Sequence, residues 1–117
     1  MSSGVNTILY PVKDLAQAKT LFGALLGAAP IADAPYYVGF RVAGQDIGLV
    51  PHGQSKWMTG PVGYYDVTDI KASIAQLVAL GAELLQDAMD VGGGKLVAAV
   101  RDQDGNVIGL SQSPAAS

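Results

Sequence analysis

The chain has 117 residues, of which 50% are hydrophobic and 15% are charged, with a formal net charge of -3. This length is typical of one domain with a substantial buried core, and the composition argues against disorder. Only seven residues are Lys or Arg, so the chain lacks the basic surface that nucleic-acid binding needs, and nucleic acid is excluded as a partner. The absence of cysteine excludes disulfides, iron-sulfur clusters, zinc-thiolate sites and thiol catalysis.

The segment 21–40 is the most apolar stretch and the candidate for a membrane span. It is interrupted by Gly27, Pro30, Asp33 and Pro35, so it cannot form a continuous spanning helix of about 20 residues. The first residues lack the basic segment and apolar run of a signal peptide. We therefore expect a cytoplasmic protein without a membrane partner.

The first half of the chain predicts a strand, a helix and further strands. Residues 5–12 are rich in β-forming side chains, Asp14 is placed to cap a helix, and Gly27 is placed to end it. The inward face of this helix is predicted to comprise Leu15, Ala18, Leu21, Phe22 and Leu25. The remaining segments are a loop at 30–35, strands at 36–42 and 46–50 joined by a turn, and space for a short strand in 51–59.

The second half repeats this order. Asp69 is the predicted N-cap of a second helix and Gly81 its end. The inward residues of this helix are predicted to be Ile70, Ile74, Leu77 and Leu80. Strands are predicted at 62–67, 83–89, 96–101 and 107–112, with a glycine loop at 92–94, a tight turn at 104–106 and a disordered tail at 113–117.

Two short internal repeats indicate a duplication. The segment A-G-Q-D-I-G-L at 43–49 recurs as D-G-N-V-I-G-L at 104–110, which aligns Gly48 with Gly109. Upstream, Y-P-V-K-D at 10–14 recurs as Y-D-V-T-D at 65–69. The sequence therefore predicts an α+β fold of two βαβββ modules, at about 4–59 and 60–112, within a single domain that spans residues 1–112.

Strand alternation divides the predicted strands into two faces. One face should pack under the helices, and it comprises Ile8, Tyr10, Val12, Ile47, Leu49, Tyr65, Val67, Ile108 and Leu110. The opposite face is mixed and mostly apolar, as in a ligand pocket. Its members are Thr7, Leu9, Gly48, Val50, Val62, Tyr64, Asp66, Val107, Gly109 and Ser111.

The element order, the V-x-D-L and V-x-D-I helix entries, the two L-G-A helix ends and the closing R-D-Q-D-G-N-V-I-G-L resemble the vicinal oxygen chelate superfamily. This superfamily contains glyoxalase I, bleomycin resistance proteins and extradiol dioxygenases, and the resemblance covers about residues 4–112. It implies that the two modules are related by a pseudo-two-fold axis and that their sheets curl around a central cup.

The resemblance also implies four cup-facing positions for metal ligands, commonly His or Glu. In this sequence they are Thr7, Gly48, Val62 and Gly109. None is a good ligand, whereas a catalytic divalent metal needs about three protein ligands. We therefore expect no metal, no other cofactor and no catalytic residue of the superfamily's usual kind, and we expect the two glycines to enlarge the cup.

Other candidate residues lie near the middle of the chain. His52 is the only histidine and is interpreted as an exposed loop residue. Trp57 is placed either over a pocket mouth or in a dimer interface, and we include it among the ligand-binding residues. Either Tyr36 or Tyr37 should face the pocket, and alternation leaves open which one.

Three hypotheses for function follow. The first is a metal-free protein that binds a small hydrophobic or aromatic drug or metabolite, as a homodimer. The second is an enzyme of the lyase, isomerase or dioxygenase type, either with unusual metal ligands such as His52 and Asp66 or with Tyr64 and Asp66 as a metal-free acid-base pair. The third is an interaction subunit whose apolar face is covered by a partner.

Overall fold

The computed structural model describes residues 2–51 and 58–114. Within the described chain, residues 6–62 form one compact unit, the N-terminal unit, and residues 63–114 together with 2–5 form a second, the C-terminal unit. The elements in chain order are β1 (Ser2–Val12), α1 (Leu15–Leu26), β2 (Ala32–Ala34), β3 (Tyr37–Val42), β4 (Gln45–Pro51), β5 (Val62–Val67), α2 (Ile70–Ala79), β6 (Glu83–Asp90), β7 (Leu96–Arg101) and β8 (Val107–Gln112). No helix formed by the described residues is long and apolar enough to cross a membrane.

The same strand order occurs in both units. The N-terminal unit runs β2-β3-β4-β1 and the C-terminal unit runs β6-β7-β8-β5. In each unit the first strand pairs in parallel with the last, and the other pairs are antiparallel. The α+β class is confirmed, whereas the pseudo-two-fold relation and the central cup concern the placement of the two units and stay predictions.

Helix α1 begins and ends where its sequence signals predict. The Asp14 carboxylate accepts a hydrogen bond from the Gln17 backbone N–H at 3.0 Å, and Gly27 adopts the left-handed conformation that ends the helix. Its apolar side packs on β3 and β4. The resulting core contains Ala18, Val38, Phe40 and Leu49, with Tyr10, Val12, Leu15, Phe22, Leu26 and Ile47 packed against it.

The predicted inward face of α1 was wrong at two positions. Leu21 and Leu25 are exposed, the latter by 76%, and Leu26 packs inward instead. The reason is the helical period, because Leu26 follows Phe22 at a spacing of four and lies over it, while Leu21 and Leu25 form a flanking row.

Helix α2 packs on β6, β7 and β8. The Asp69 carboxylate accepts a hydrogen bond from the Ala72 backbone N–H at 3.1 Å, and Gly81 follows the helix at a φ of +110°. The predicted inward position of Leu80 was wrong, because the helix ends at Ala79 and Leu80 is 73% exposed. The core of this unit contains Val67, Ile70, Ile74, Ala98 and Leu110, with Leu77, Ala88 and Leu96 packed against it.

Strand register places Tyr65 on the helix-facing side as predicted, beside the core residue Leu110, but it is not buried there. Tyr65 stays 40% exposed. Its neighbour two residues along, Val67, is buried in the core of the C-terminal unit as predicted.

The segment predicted as a loop at 30–35 contains strand β2. It is a three-residue edge strand between Pro30 and Pro35, and it pairs with β3 through Asp33 and Val38. Such a short strand has no alternation to recognise, so the tertiary pairing defines it. The extra strand expected in 51–59 falls mostly on residues outside the described chain, as does most of the predicted tail.

The turn between β7 and β8 is built around Asp102. One carboxylate oxygen accepts hydrogen bonds from the backbone N–H groups of Asp104 (3.0 Å) and Asn106 (2.8 Å), and the other accepts one from the Asn106 side chain (2.9 Å). These bonds, with the Asn106 side chain as the largest contribution, lower the pKa of Asp102 below its usual value.

This turn predicts an acid-dependent contribution to stability. A carboxyl group whose pKa is lowered in the folded state stabilises the protein above its unfolded pKa, which is about 3.9, and this contribution is lost as pH falls through the lowered folded value. In urea unfolding from pH 6 to pH 3, the Asp102→Asn variant should lose less stability over the acid part of that range than the original protein. Asp104→Asn, in the same exposed turn, is the control, and equal slopes for all three proteins would contradict the prediction.

Candidate functional site

The N-terminal unit has a sheet face opposite helix α1. Because Val38, Phe40 and Leu49 point into the core under α1, alternation places their neighbours on the other side. We call this the N-terminal face. Its members, aligned by strand register, are Thr7, Leu9, Tyr37, Gly39, Arg41, Asp46, Gly48 and Val50.

Gly48 lies beneath two larger side chains on this face. A Cβ atom at Gly48 would lie 2.5 Å from Leu9 Cδ2 and 2.5 Å from Tyr37 Oη, and one at Gly39 would lie 2.9 Å from Tyr37 Cε2. The tyrosine ring therefore rests across two paired glycines. The expectation that Gly48 enlarges the pocket was wrong, because neighbouring side chains fill the space.

Tyr37 is the member of the tyrosine pair that faces this side. Tyr36 is 77% exposed, whereas Tyr37 is partly buried over the glycines. Burial, and secondarily the negative charge of Asp46, raise the pKa of the Tyr37 phenol above its usual value. The phenol therefore stays protonated at neutral pH and offers a hydrogen-bond donor.

Arg41 and Asp46 form an ion pair beside this tyrosine. They are register partners on β3 and β4, and Arg41 Nε donates to Asp46 Oδ1 at 2.7 Å. The sequence interpretation did not identify either residue as part of the site. Alternation alone places each of them on this face, and the pairing of β3 with β4 brings the two side chains together.

The C-terminal unit has a corresponding face opposite α2, which we call the C-terminal face. Strand register places Tyr64 beside Gly109 and Asp66 beside Ser111, and β7 contributes Val97 and Ala99. A Cβ atom at Gly109 would lie 2.6 Å from both Cγ and Cδ2 of Tyr64. The second glycine is therefore also covered by an aromatic ring and does not enlarge a pocket.

Ser111 is the most enclosed polar side chain of the C-terminal face. It is 1% exposed, and its hydroxyl oxygen has no hydrogen-bond partner among the described residues. Leaving a buried polar group without a partner costs about 1–3 kcal/mol, so an unpaired hydroxyl needs a physical explanation.

The remaining predicted site residues are placed as follows. Thr7 is buried, and its hydroxyl donates to Asn6 Oδ1 at 3.3 Å. Val62 is buried on β5. Trp57 and His52 lie outside the described residues. The structure thus brings Thr7, Leu9, Gly48 and Val50 together on one face, and Tyr64, Asp66, Gly109 and Ser111 on the other.

The four positions at which the superfamily commonly holds a metal do not fit one here. Thr7 offers one hydroxyl, Val62 offers no donor, and the space for a side chain at Gly48 and Gly109 is taken by Leu9, Tyr37 and Tyr64. Among residues 2–51 and 58–114, no three His, Asp or Glu side chains are grouped closely enough to hold a metal ion. Divalent catalytic metals need about three such ligands.

Comparison with solved structures supports the same architecture. Methylmalonyl-CoA epimerase from Mycobacterium tuberculosis is similar with a TM-score of 0.75 and 19% identity, over 98% of this chain and 90% of that one. A Mn(II)-bound glyoxalase from Novosphingobium aromaticivorans is similar with a TM-score of 0.74 and 17% identity, over 97% of this chain and 40% of that one. A glyoxalase/bleomycin resistance protein/dioxygenase superfamily member from Vibrio splendidus 12B01 is similar with a TM-score of 0.70 and 18% identity, over 92% of this chain and 97% of that one.

At these identities the structural similarity shows the fold alone. No curated protein sequence matches the chain significantly. The family is shown by the sequence itself, because the family model described as Glyoxalase/Bleomycin resistance protein/Dioxygenase superfamily matches residues 4–110, which is nearly the whole of the chain. The chain therefore belongs to the glyoxalase/bleomycin resistance protein/dioxygenase superfamily.

Proposed function

We propose that this protein binds a small hydrophobic or aromatic drug or metabolite without a metal ion. The observation that carries the proposal is the covering of both glycines. At Gly48 and Gly109, neighbouring side chains fill the space that a metal-binding side chain would need. The closing of these two positions supports binding without a metal ion, because it leaves no room there for metal-binding side chains.

The composition of the N-terminal face suits this role. Small-molecule sites are mostly apolar, with a few polar groups that orient the ligand. Leu9, Val50 and the Tyr37 ring supply apolar surface, while the protonated Tyr37 phenol and the Arg41–Asp46 pair supply polar contacts. Because both charges of the pair are already engaged with each other, we infer that the ligand makes its main contact with the aromatic and aliphatic surface.

A compound screen followed by substitution of two neighbouring tyrosines tests the proposal. In a thermal-shift screen of aromatic and cationic compounds, at least one compound should raise the melting temperature, and Trp57 fluorescence offers a second reporter. Replacing Tyr37 by Ala should weaken a compound that binds the N-terminal face at least tenfold, since burial of an aromatic surface contributes about 1.5–3 kcal/mol. Tyr36→Ala is the matched control and should leave the affinity unchanged.

Two results would contradict the proposal. The first is about one tightly held transition metal per chain in elemental analysis of protein purified without chelators. The second is a flat thermal-shift and fluorescence response across the whole screen. An equal loss of affinity in Tyr36→Ala and Tyr37→Ala would show that the compound does not bind on the N-terminal face.

The expected homodimer and cytoplasmic location remain part of the proposal. Large exposed hydrophobic side chains support self-association, because apolar surface of this kind is often covered by a partner. Among the described residues they include Leu21, Leu25, Ile31, Tyr36 and Leu80.

A further inference from the structure

A cavity lies on the helix side of the N-terminal unit, between the first half of α1 and strand β2. Its volume is about 470 Å³, within the range of about 300–1,000 Å³ that is common for small-molecule sites. Because Val38 packs in the core under α1, the cavity lies on the opposite side of the sheet from the N-terminal face. We call it the edge cavity. Its apolar lining comprises Leu15, Ala16, Ala34, Pro35 and Val38, and its charged lining comprises Lys19 and Asp33.

The two charged residues come from opposite walls of the edge cavity. Lys19 lies on α1 and Asp33 on β2, and the Lys19 ammonium group donates a hydrogen bond to Asp33 Oδ2. Neither group forms a further hydrogen bond among the described residues. An ammonium group has three N–H donors and a carboxylate has two acceptor oxygens, so both retain capacity for a ligand. The side chains are 41% and 51% exposed, so a molecule in the cavity can reach them while the pair is intact.

The position of this pair distinguishes it from the other ion pairs of the described residues. Those pairs join register partners on neighbouring strands, so strand pairing alone brings their charges together. They are Arg41–Asp46 and Arg101–Glu83. The Lys19–Asp33 pair instead joins a helix to a strand and borders a cavity. The packing of α1 on the sheet therefore places one positive and one negative group at the rim of an apolar cavity.

The balance of charge selects the class of ligand. A ligand with a single net charge would be attracted by one member of the pair and repelled by the other. A ligand with adjacent opposite charges can place its anionic group at Lys19 and its cationic group at Asp33, and both contacts are charge-assisted hydrogen bonds. An apolar substituent of the same ligand can contact Leu15, Ala16 and Pro35.

We propose that the edge cavity binds a zwitterionic amino acid with an aromatic side chain. The carboxylate of the amino acid accepts from Lys19, its ammonium group donates to Asp33, and its ring packs on the apolar lining. This site goes beyond the proposed function, because the sheet separates the edge cavity from the N-terminal face and Tyr37 is not among its lining residues.

Three probes of similar shape test the charge preference. At pH 6, L-phenylalanine is a zwitterion, L-phenylalanine amide is a cation and N-acetyl-L-phenylalanine is an anion. In two-dimensional amide NMR titrations, phenylalanine should shift resonances of residues 15–19 and 33–38. It should bind about threefold to fivefold more tightly than either relative, since each exposed charge contact has a small effect. Equal affinities for the three probes, or shifts confined to other residues, would overturn the site.

Each charged residue should account for one half of this preference. Lys19→Met removes the carboxylate contact, so phenylalanine should lose its advantage over the amide. Asp33→Asn removes the ammonium contact, so phenylalanine should lose its advantage over N-acetyl-phenylalanine. Arg101→Met breaks an exposed ion pair of the C-terminal unit, and this control should leave all three affinities unchanged. Retention of both advantages in both variants would overturn the assignment.

Thermal unfolding separates a ligand contact from a tether between α1 and β2. Because exposed ion pairs contribute little to stability, Lys19→Met and Asp33→Asn should change the melting temperature little while they change the affinities. A clear fall in melting temperature with unchanged preferences would show that the pair has only a structural role, and it would overturn the proposal. The comparison of the three probes uses the original protein, so it stays decisive even when a variant is unstable.

Discussion

Replacing Phe40 by Ala is expected to lower the free energy of unfolding by about 3–5 kcal/mol. Phe40 is 0% exposed and lies at the centre of the core between α1 and the sheet, where one ring carbon approaches Gly23 on the helix. Removing the ring forfeits its burial and leaves a cavity that packed neighbours fill only in part. Urea unfolding followed by circular dichroism measures the change.

A matched control for Phe40 lies on the same unit. Leu25 is a large hydrophobic residue that is 76% exposed, so Leu25→Ala should change the free energy of unfolding by about 0.5 kcal/mol or less. A loss of similar size at both positions would show that the core is not centred on Phe40. Because Phe40 points away from the N-terminal face, the variant that remains folded should also retain ligand affinity.

The second large effect is expected at Gly109. A methyl group there would lie 2.6 Å from Tyr64 Cγ, an atom close to the backbone that cannot move without a change of rotamer. Overpacking of this kind costs about 1–3 kcal/mol, so Gly109→Ala should be destabilising by that amount. Gly63, also on a strand of the C-terminal unit, would meet Val5 at 3.6 Å, an ordinary contact, and Gly63→Ala is the control.

A double-mutant cycle identifies the cause of the Gly109 effect. In a Tyr64→Ala background the ring is gone, so the added methyl group should cost about 1 kcal/mol less than it does alone. If Gly109→Ala costs the same in both backgrounds, the ring does not cause the loss. Gly48→Ala should be less destabilising than Gly109→Ala. Two of the atoms that the added methyl group would meet, Leu9 Cδ2 and Tyr37 Oη, are the far ends of longer side chains.

Local signals in the sequence were sufficient for much of the fold. Asp14, Gly27, Asp69 and Gly81 mark the helix ends as predicted, because capping and left-handed turns depend on neighbouring residues only. Strand β2 was missed, since three residues between prolines form a strand only through pairing with β3. The exposure of Leu80 could not be read from helical spacing, which does not fix where the helix stops.

The candidate site was less predictable than the fold. Alternation placed Gly48 and Gly109 on the correct faces, but the prediction that the two glycines leave open space there was wrong. Whether that space is open depends on which residues the strand register brings beside each glycine. Tyr37 reaches Gly48 from β3, and Tyr64 reaches Gly109 from β5, and neither approach is encoded in the residues next to the glycine.

The covered glycines also bear on how such a protein can change over evolutionary time. A metal-binding side chain introduced at position 48 or 109 would collide with a neighbour that is already in place. At position 48 the ends of Leu9 and Tyr37 could move aside, whereas at position 109 the contact is with Tyr64 Cγ, so the tyrosine would have to change rotamer or be replaced by a smaller residue. Single substitutions that introduce a metal ligand at these positions are therefore disfavoured by packing, and most strongly at position 109.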